Sequence, residues 1–238
     1  MSTKPLLNIL SVCLLGTVAT TGSAAQWDVK ITNLTNGNHF TPVLMTGLDS
    51  ATHLFKVGAA ASTALELMAE CGDTSQLIDT GPAGALDEDT KTGAGVIAPG
   101  GTTTLVLDNS MSGNTHLSLV SMILPTNDAF VGLESMEVPA AAGTYTYYLN
   151  AYDAGTEANN EIPATTACDT NVSGYPGAPG GDTGSNGTGV TMEEANMMIH
   201  VHRGVLGDQD SMGGLSDLNS SIHRWQNPVA KIEITVTP

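Results

Sequence analysis

Basic residues are scarce. The 238-residue chain carries 7 Lys and Arg against 24 Asp and Glu, a formal net charge of −17. Such a surface repels nucleic acid and anionic lipid, whose binding is driven by positive charge. Aromatic residues make up 4% of the chain, too few to line a long sugar-binding cleft. There are three cysteines, which excludes a disulfide-dense scaffold; a chain of this length can instead build a sizeable hydrophobic core. Beyond the first residues no apolar run approaches the ~20 residues a membrane-spanning helix needs. Neither a Gly-x-Ser-x-Gly elbow nor a glycine-rich phosphate loop between strand and helix occurs, which removes two common enzymatic signatures.

What is present begins with a leader. Lys4 precedes the apolar run "LLNILSVCLLGTVA" and then the small residues "TTGSAAQ". Together these are the three parts of a secretory signal peptide, cut after Ala25. Cys13 follows Val12, where a lipoprotein signal wants a small residue, so no lipid anchor is expected. Residues 1–25 are read as the signal peptide and 26–238 as one exported domain, periplasmic, extracellular or at the cell surface, with no membrane insertion. Cleavage removes Lys4 and no acid, so −17 becomes −18. That charge favours solubility and cation binding alike. Cys71 and Cys168 remain. In an oxidising compartment they are a candidate disulfide; one buried and one exposed thiol is the alternative.

Most of the mature chain reads as strands. In "QWDVKITNL" Trp27, Val29 and Ile31 alternate with Asp28, Lys30 and Thr32. "HLFKVG", "TTTLVLD", "HLSLVSMILP", "DAFVGL" and "TYTYYLNAY" follow, and "PVAKIEITV" closes with Ala230, Ile232, Ile234 and Val236 on one face. Short alternating strands with Gly, Pro and Asn between them indicate an all-β antiparallel sandwich or barrel. One helix interrupts: in "STALELMAECGD" Thr63 is the expected N-cap, Glu66 its capping-box partner, Leu65, Met68 and Ala69 the apolar stripe, and Gly72 the stop. Such a helix is expected to plug an edge or end of the sandwich. Residues 169–189, rich in Gly, Ser, Pro and Asn, are expected to form a flexible excursion.

Four segments appear in order: "HLFKVGAAASTALELMAECGD", "LSLVSMILPTNDAFVGLES", "YDAGTE" and "NPVAKIEITV". Together they resemble the spondin N-terminal domain, in its bacterial secreted form, from Trp27 to Val236. The resemblance implies a C2-like β-sandwich of about eight strands. It implies an extracellular adhesion module, with a protein, polysaccharide or surface as partner, that binds calcium through aspartates. Carried onto this chain, the ligands are Asp128 in "PTND" and Asp153 and Glu157 in "DAGTE"; Glu157 stands where the animal pattern has Asp.

The residues themselves agree with a hard cation. "YDAGTEANNE" crowds Asp153, Glu157 and Glu161 into one loop, and Gly155 lets the backbone turn back. Asp153 and Glu157 with Asp128 offer oxygen ligands of the kind calcium takes. Without a cation they would raise one another's pKa. The alternative is a hydrolase using the same three residues, since paired carboxylates also serve glycosidases. His200 and His202 in "IHVHRG" share a strand face. They are a candidate second metal site needing a third ligand, His116 or His223; the plainer reading is a polar, solvated strand face. Met192, Met197, Met198 and Met212 are read as core filling.

Overall fold

A computed structural model describes residues 25–79, 89–109, 114–166, 168, 170–177 and 179–237. The signal-peptide reading falls outside them, except that Ala25 is the first residue of the first strand.

One sheet is built from β1 (Ala25–Asn33), β5 (Thr102–Asn109), β8 (Gly143–Leu149) and β11 (Ala230–Thr237), in the order β5-β1-β11-β8. Its registers follow the alternation in the sequence: Val29 pairs with Ile234 and with Leu105, and Ile31 with Ile232. The second sheet runs β10 (His200–Val201), β9 (Ala151–Asp153), β7 (Ala129–Glu137), β6 (His116–Leu124), β3 (Leu44–Leu48), β4 (Thr90–Thr92). The two-residue β2 (His39–Phe40) also pairs with β6. All pairings between these strands are antiparallel, so the chain is an all-β sandwich. Trp27, Val29, Ile31, Leu107, Leu119, Ile123, Val131, Ile232 and Ile234 meet between the sheets as the main core.

β6 is buried on both faces. Leu117, Leu119 and Ile123 point into the sandwich, while Val120 and Met122 point out beneath helix α1 (Thr63–Cys71). Leu65, Met68 and Ala69 of α1 complete this second core with Leu44, Leu48 and Phe130. The helix therefore covers the outer face of the larger sheet instead of plugging an edge. Its N-cap is Ser62, one residue earlier than expected, with the Leu65 N–H donating to Ser62 Oγ at 3.2 Å. Gly72 stops the helix in the left-handed conformation, its N–H on the Met68 carbonyl. A second helix, α2 (Ser75–Asp79), is too short to show a period.

Two further expectations differ. "HLFKVG" forms no strand among the described residues; Leu54 and Phe55 are buried without a ladder, Phe55 meeting Phe130 edge-on at 5.0 Å. The four methionines read as core filling are exposed. The described part of 169–189 is tied down at several points. Tyr175 is 1% exposed and packs with Val205 and Leu218. Gly184, Thr188 and Gly189 donate backbone bonds to Asp217, Gly214 and Leu215.

Candidate metal centre

The site starts at the turn between β6 and β7. Thr126 caps it: its hydroxyl donates to the Ile123 carbonyl and accepts the Ala129 N–H at 3.2 Å. Asp128 is the last residue of that turn. β9 lies beside β7 with Ala129 opposite Asp153, and the Ala154 N–H donates to the Asp128 carbonyl at 3.3 Å. This register brings Asp128 and Asp153 to the same end of adjacent strands. The chain then reverses at Gly155, φ +69°, where a Cβ would stand 2.8 Å from the Asn196 carbonyl oxygen. Only glycine fits there. The reversal returns Thr156 to Asp128: its N–H and hydroxyl donate to Asp128 Oδ2 at 3.0 and 3.3 Å. Asp153 Oδ1 accepts the Gly155 N–H at 2.9 Å, and Oδ2 accepts the Asn159 amide at 2.8 Å. Glu157 Oε2 accepts the Gly174 N–H at 2.9 Å.

Asp128 is fully buried, and its Oδ1 accepts no hydrogen bond. Burial above all, then the facing Asp153 carboxylate, pushes its pKa well above the usual carboxylate range; Glu157 adds to this and the Thr156 N–H opposes it. Asp153 and Glu157 are also raised, in both cases chiefly by burial. The Asn159 amide works against the rise at Asp153, and the Gly174 N–H against that at Glu157. The three acids named from sequence thus lie within electrostatic reach of one another, in a setting where their shared negative charge is costly.

His200 and His202 lie beside this cluster. His200 Nε2 and His202 Nε2 each lie 3.7 Å from Asp153 Oδ2. His202 is buried against Trp225, ring centroids 5.1 Å apart. Its Nδ1 accepts the Gly204 N–H at 2.9 Å, which puts the proton on Nε2, facing Asn159 Oδ1 at 3.1 Å. In this tautomer both ring nitrogens of the neutral imidazole are engaged. His223 Nδ1 is likewise taken, by the Asn219 N–H at 3.1 Å. His116 lies in β6 opposite Glu137.

Burial is the main cause that lowers the His202 pKa from 6.5 to about 3. Between those values the unfolded chain binds a proton that the folded chain refuses. His202 therefore favours the folded state fully above pH 6.5, and this is lost as the pH falls toward 3, at about 1.4 kcal/mol per pH unit. Glu70, whose folded value is raised to about 7, acts oppositely between 4.5 and 7. Only a difference between proteins isolates the histidine. Urea unfolding in chelator should show the stability gap between wild type and His202→Gln narrowing on going from pH 7 to pH 4.5. Parallel curves would show that the ring is not held neutral.

Several pairings around the site were not visible in the sequence. Asn127, Asn160 and Glu161 are linked: the Asn127 amide donates to Asn160 Oδ1 at 2.9 Å, and Asn127 Oδ1 accepts the Glu161 N–H at 3.1 Å. Thr156 and Glu70 stand at the cluster from its other side. The crowding of "EANNE" after "DAGT" was the available signal, but it does not say which loop each side chain serves. Cys71 and Cys168 are joined as a disulfide, Cα atoms 5.5 Å apart, so of the two readings the bonded one holds.

Among the described residues no group of three or more His, Cys, Asp and Glu side chains is already arranged to hold a metal ion. Calcium asks for less than that, because backbone carbonyls, amide oxygens and water fill much of its shell. Hard oxygen donors and the buried, unpartnered Asp128 Oδ1 fit a calcium ion better than a thiophilic metal. No helix among the described residues is long and apolar enough to cross a membrane. A family profile described as Spondin_N matches residues 30–170, a span that holds Asp128, Asp153, Glu157 and both disulfide cysteines. No curated protein sequence matches the chain.

Proposed function

The chain belongs to the spondin N-terminal family, and from that membership we propose an exported, non-catalytic adhesion or binding module whose Asp128, Asp153 and Glu157 take a calcium ion. In this reading residues 26–238 are one domain behind a leader of residues 1–25. The observation that carries it is the unpartnered Asp128 Oδ1, buried beside two further acids. A buried carboxylate oxygen without a donor is costly, and a divalent cation offsets both the lost hydration and the mutual repulsion. Asp128, Asp153 and Glu157 would hold the ion; its chemistry would be structural, neutralising charge and fixing the loop after β9. The burial of Asp128 speaks against the hydrolase alternative, in which it would have to meet a substrate directly. The disulfide suits an oxidising compartment.

Calcium is expected to raise the melting temperature of chelator-stripped protein. At ligand a hundredfold above its Kd the gain is about 2.7 kcal/mol, with Kd on the order of 10⁻⁴–10⁻³ M for an extracellular module. Asp128→Asn and Asp153→Asn should abolish most of the rise, and Glu157→Gln should reduce it. In chelator Asp128→Asn should melt no lower than wild type, because it removes a buried charge. A wild-type curve unmoved by calcium would overturn the reading. The partner is then sought by capture from the cell envelope with calcium and with chelator.

A further inference from the structure

A fourth carboxylate reaches the cluster from the helix. Glu70 is the penultimate residue of α1 and is 5% exposed. The stripe formed by Leu65, Met68 and Ala69 fixes the rotation of α1 on the sheet, and Glu70 turns inward next to that stripe instead of out to water. It lies against Thr156, and Glu157 is close enough to act on it electrostatically. Thr156 already donates twice to Asp128 Oδ2, so it stands between the two acids. Next to Glu70, the Cys71–Cys168 bond fixes the end of the helix against the excursion that follows Glu161. Glu70 Oε1 is buried with no hydrogen-bond partner, as is Asp128 Oδ1. Two acids on either side of one threonine, each with a buried oxygen lacking a donor, are an arrangement in want of a cation. Glu66, one turn earlier on α1, is only half-buried and makes the contrast.

Resting on the calcium reading above, we propose that Glu70 is a fourth carboxylate ligand of that ion, so that α1 and its disulfide form one wall of the site. Calcium accepts six to eight oxygens in flexible geometry, which leaves room for a fourth acid where magnesium would not.

Calorimetric titration of the disulfide-intact chain with calcium tests this. Glu70→Gln should weaken Kd by about tenfold or more, while Glu66→Gln, removing the same charge one turn away, should change it by less than about threefold. In chelator Glu70→Gln should melt no lower than wild type, since glutamine has no charge to bury; lost binding then cannot be a folding defect. With terbium as the probe, luminescence lifetimes in light and heavy water should show about one more bound water in Glu70→Gln than in wild type. If wild type and Glu70→Gln bind calcium equally and hold terbium with the same hydration, Glu70 is no ligand and the three-acid site stands. If wild type binds no calcium at all, the calcium reading itself is overturned.

Discussion

Replacing Cys168 with serine, or reducing the protein, is expected to lower its stability by about 4–5 kcal/mol. The bond joins residues 97 apart in sequence. A crosslink over so long a loop removes a large part of the unfolded chain's freedom, and the chain-entropy relation gives about 4.7 kcal/mol for a loop of ~100 residues. Domains of ordinary size have only about 5–15 kcal/mol in hand, so the loss is a large fraction of the whole. The folded state supports the estimate. Cys71 ends α1, whose apolar stripe is fixed in the second core, and Cys168 follows the loop that carries Glu157 and Glu161. Without the bond, the loop after β9 is held to the sandwich by hydrogen bonds such as those of Thr156 to Asp128. Urea unfolding followed by tryptophan fluorescence, with and without reductant, reads the effect. The midpoint should fall and the denaturant dependence should steepen, because the freed chain exposes more surface when unfolded. The Cys71→Ser/Cys168→Ser pair should match the reduced protein. Coincident oxidised and reduced curves would mean that the crosslink is thermodynamically idle.

How much of this was legible depended on which physics set each element. β1, β5 and β11 bury one face each, so alternation in the sequence names their inner residues directly. In β6 the same alternation gave only half the answer, since Val120 and Met122 serve a second core whose existence depends on where α1 lies. "HLFKVG" looked like a strand because Leu54 and Phe55 are apolar, yet an aromatic cluster with Phe130 and Tyr152 buries Phe55 with no ladder. Ser62 and Thr63 are both good caps, so the sequence could not choose between them. In the Gly-rich segment composition concealed anchors such as Tyr175. At the site, family resemblance and residue chemistry together named Asp128, Asp153 and Glu157. Glu70 and Thr156 escaped, because their contacts arise from pairings between distant segments. His202 was visible as one of a pair, but its bond from the Gly204 N–H was not.

Glu161 has the largest expected effect of any side chain that neither reading of the calcium site uses. It is buried, and it sits at φ +58°, a left-handed conformation that a glutamate adopts only under constraint. Its carboxylate supplies the constraint. Oε1 accepts the Leu206 N–H at 2.6 Å; Oε2 accepts the Gly207 N–H at 2.8 Å and the Ser216 hydroxyl at 2.6 Å. Its own N–H donates to Asn127 and its carbonyl accepts the Asp217 N–H at 2.9 Å. One residue thus fastens the 205–218 stretch to the turn that carries Asp128. In Glu161→Ala three donors lose their acceptor at about 1–3 kcal/mol each, so the domain should lose at least about 3 kcal/mol. In Glu161→Gln the oxygen of the amide keeps some of these bonds while its NH₂ meets a donor, and the loss should be smaller, about 2 kcal/mol. Hydrogen exchange distinguishes a local anchor from a general defect. The amides of Leu206 and Gly207 should lose protection first and most in both variants, while those of Val29 and Ile232 in the main core should follow only the global stability. If Glu161→Ala unfolds within about 1 kcal/mol of wild type and keeps the Leu206 and Gly207 amides protected, the carboxylate is not what pins the stretch.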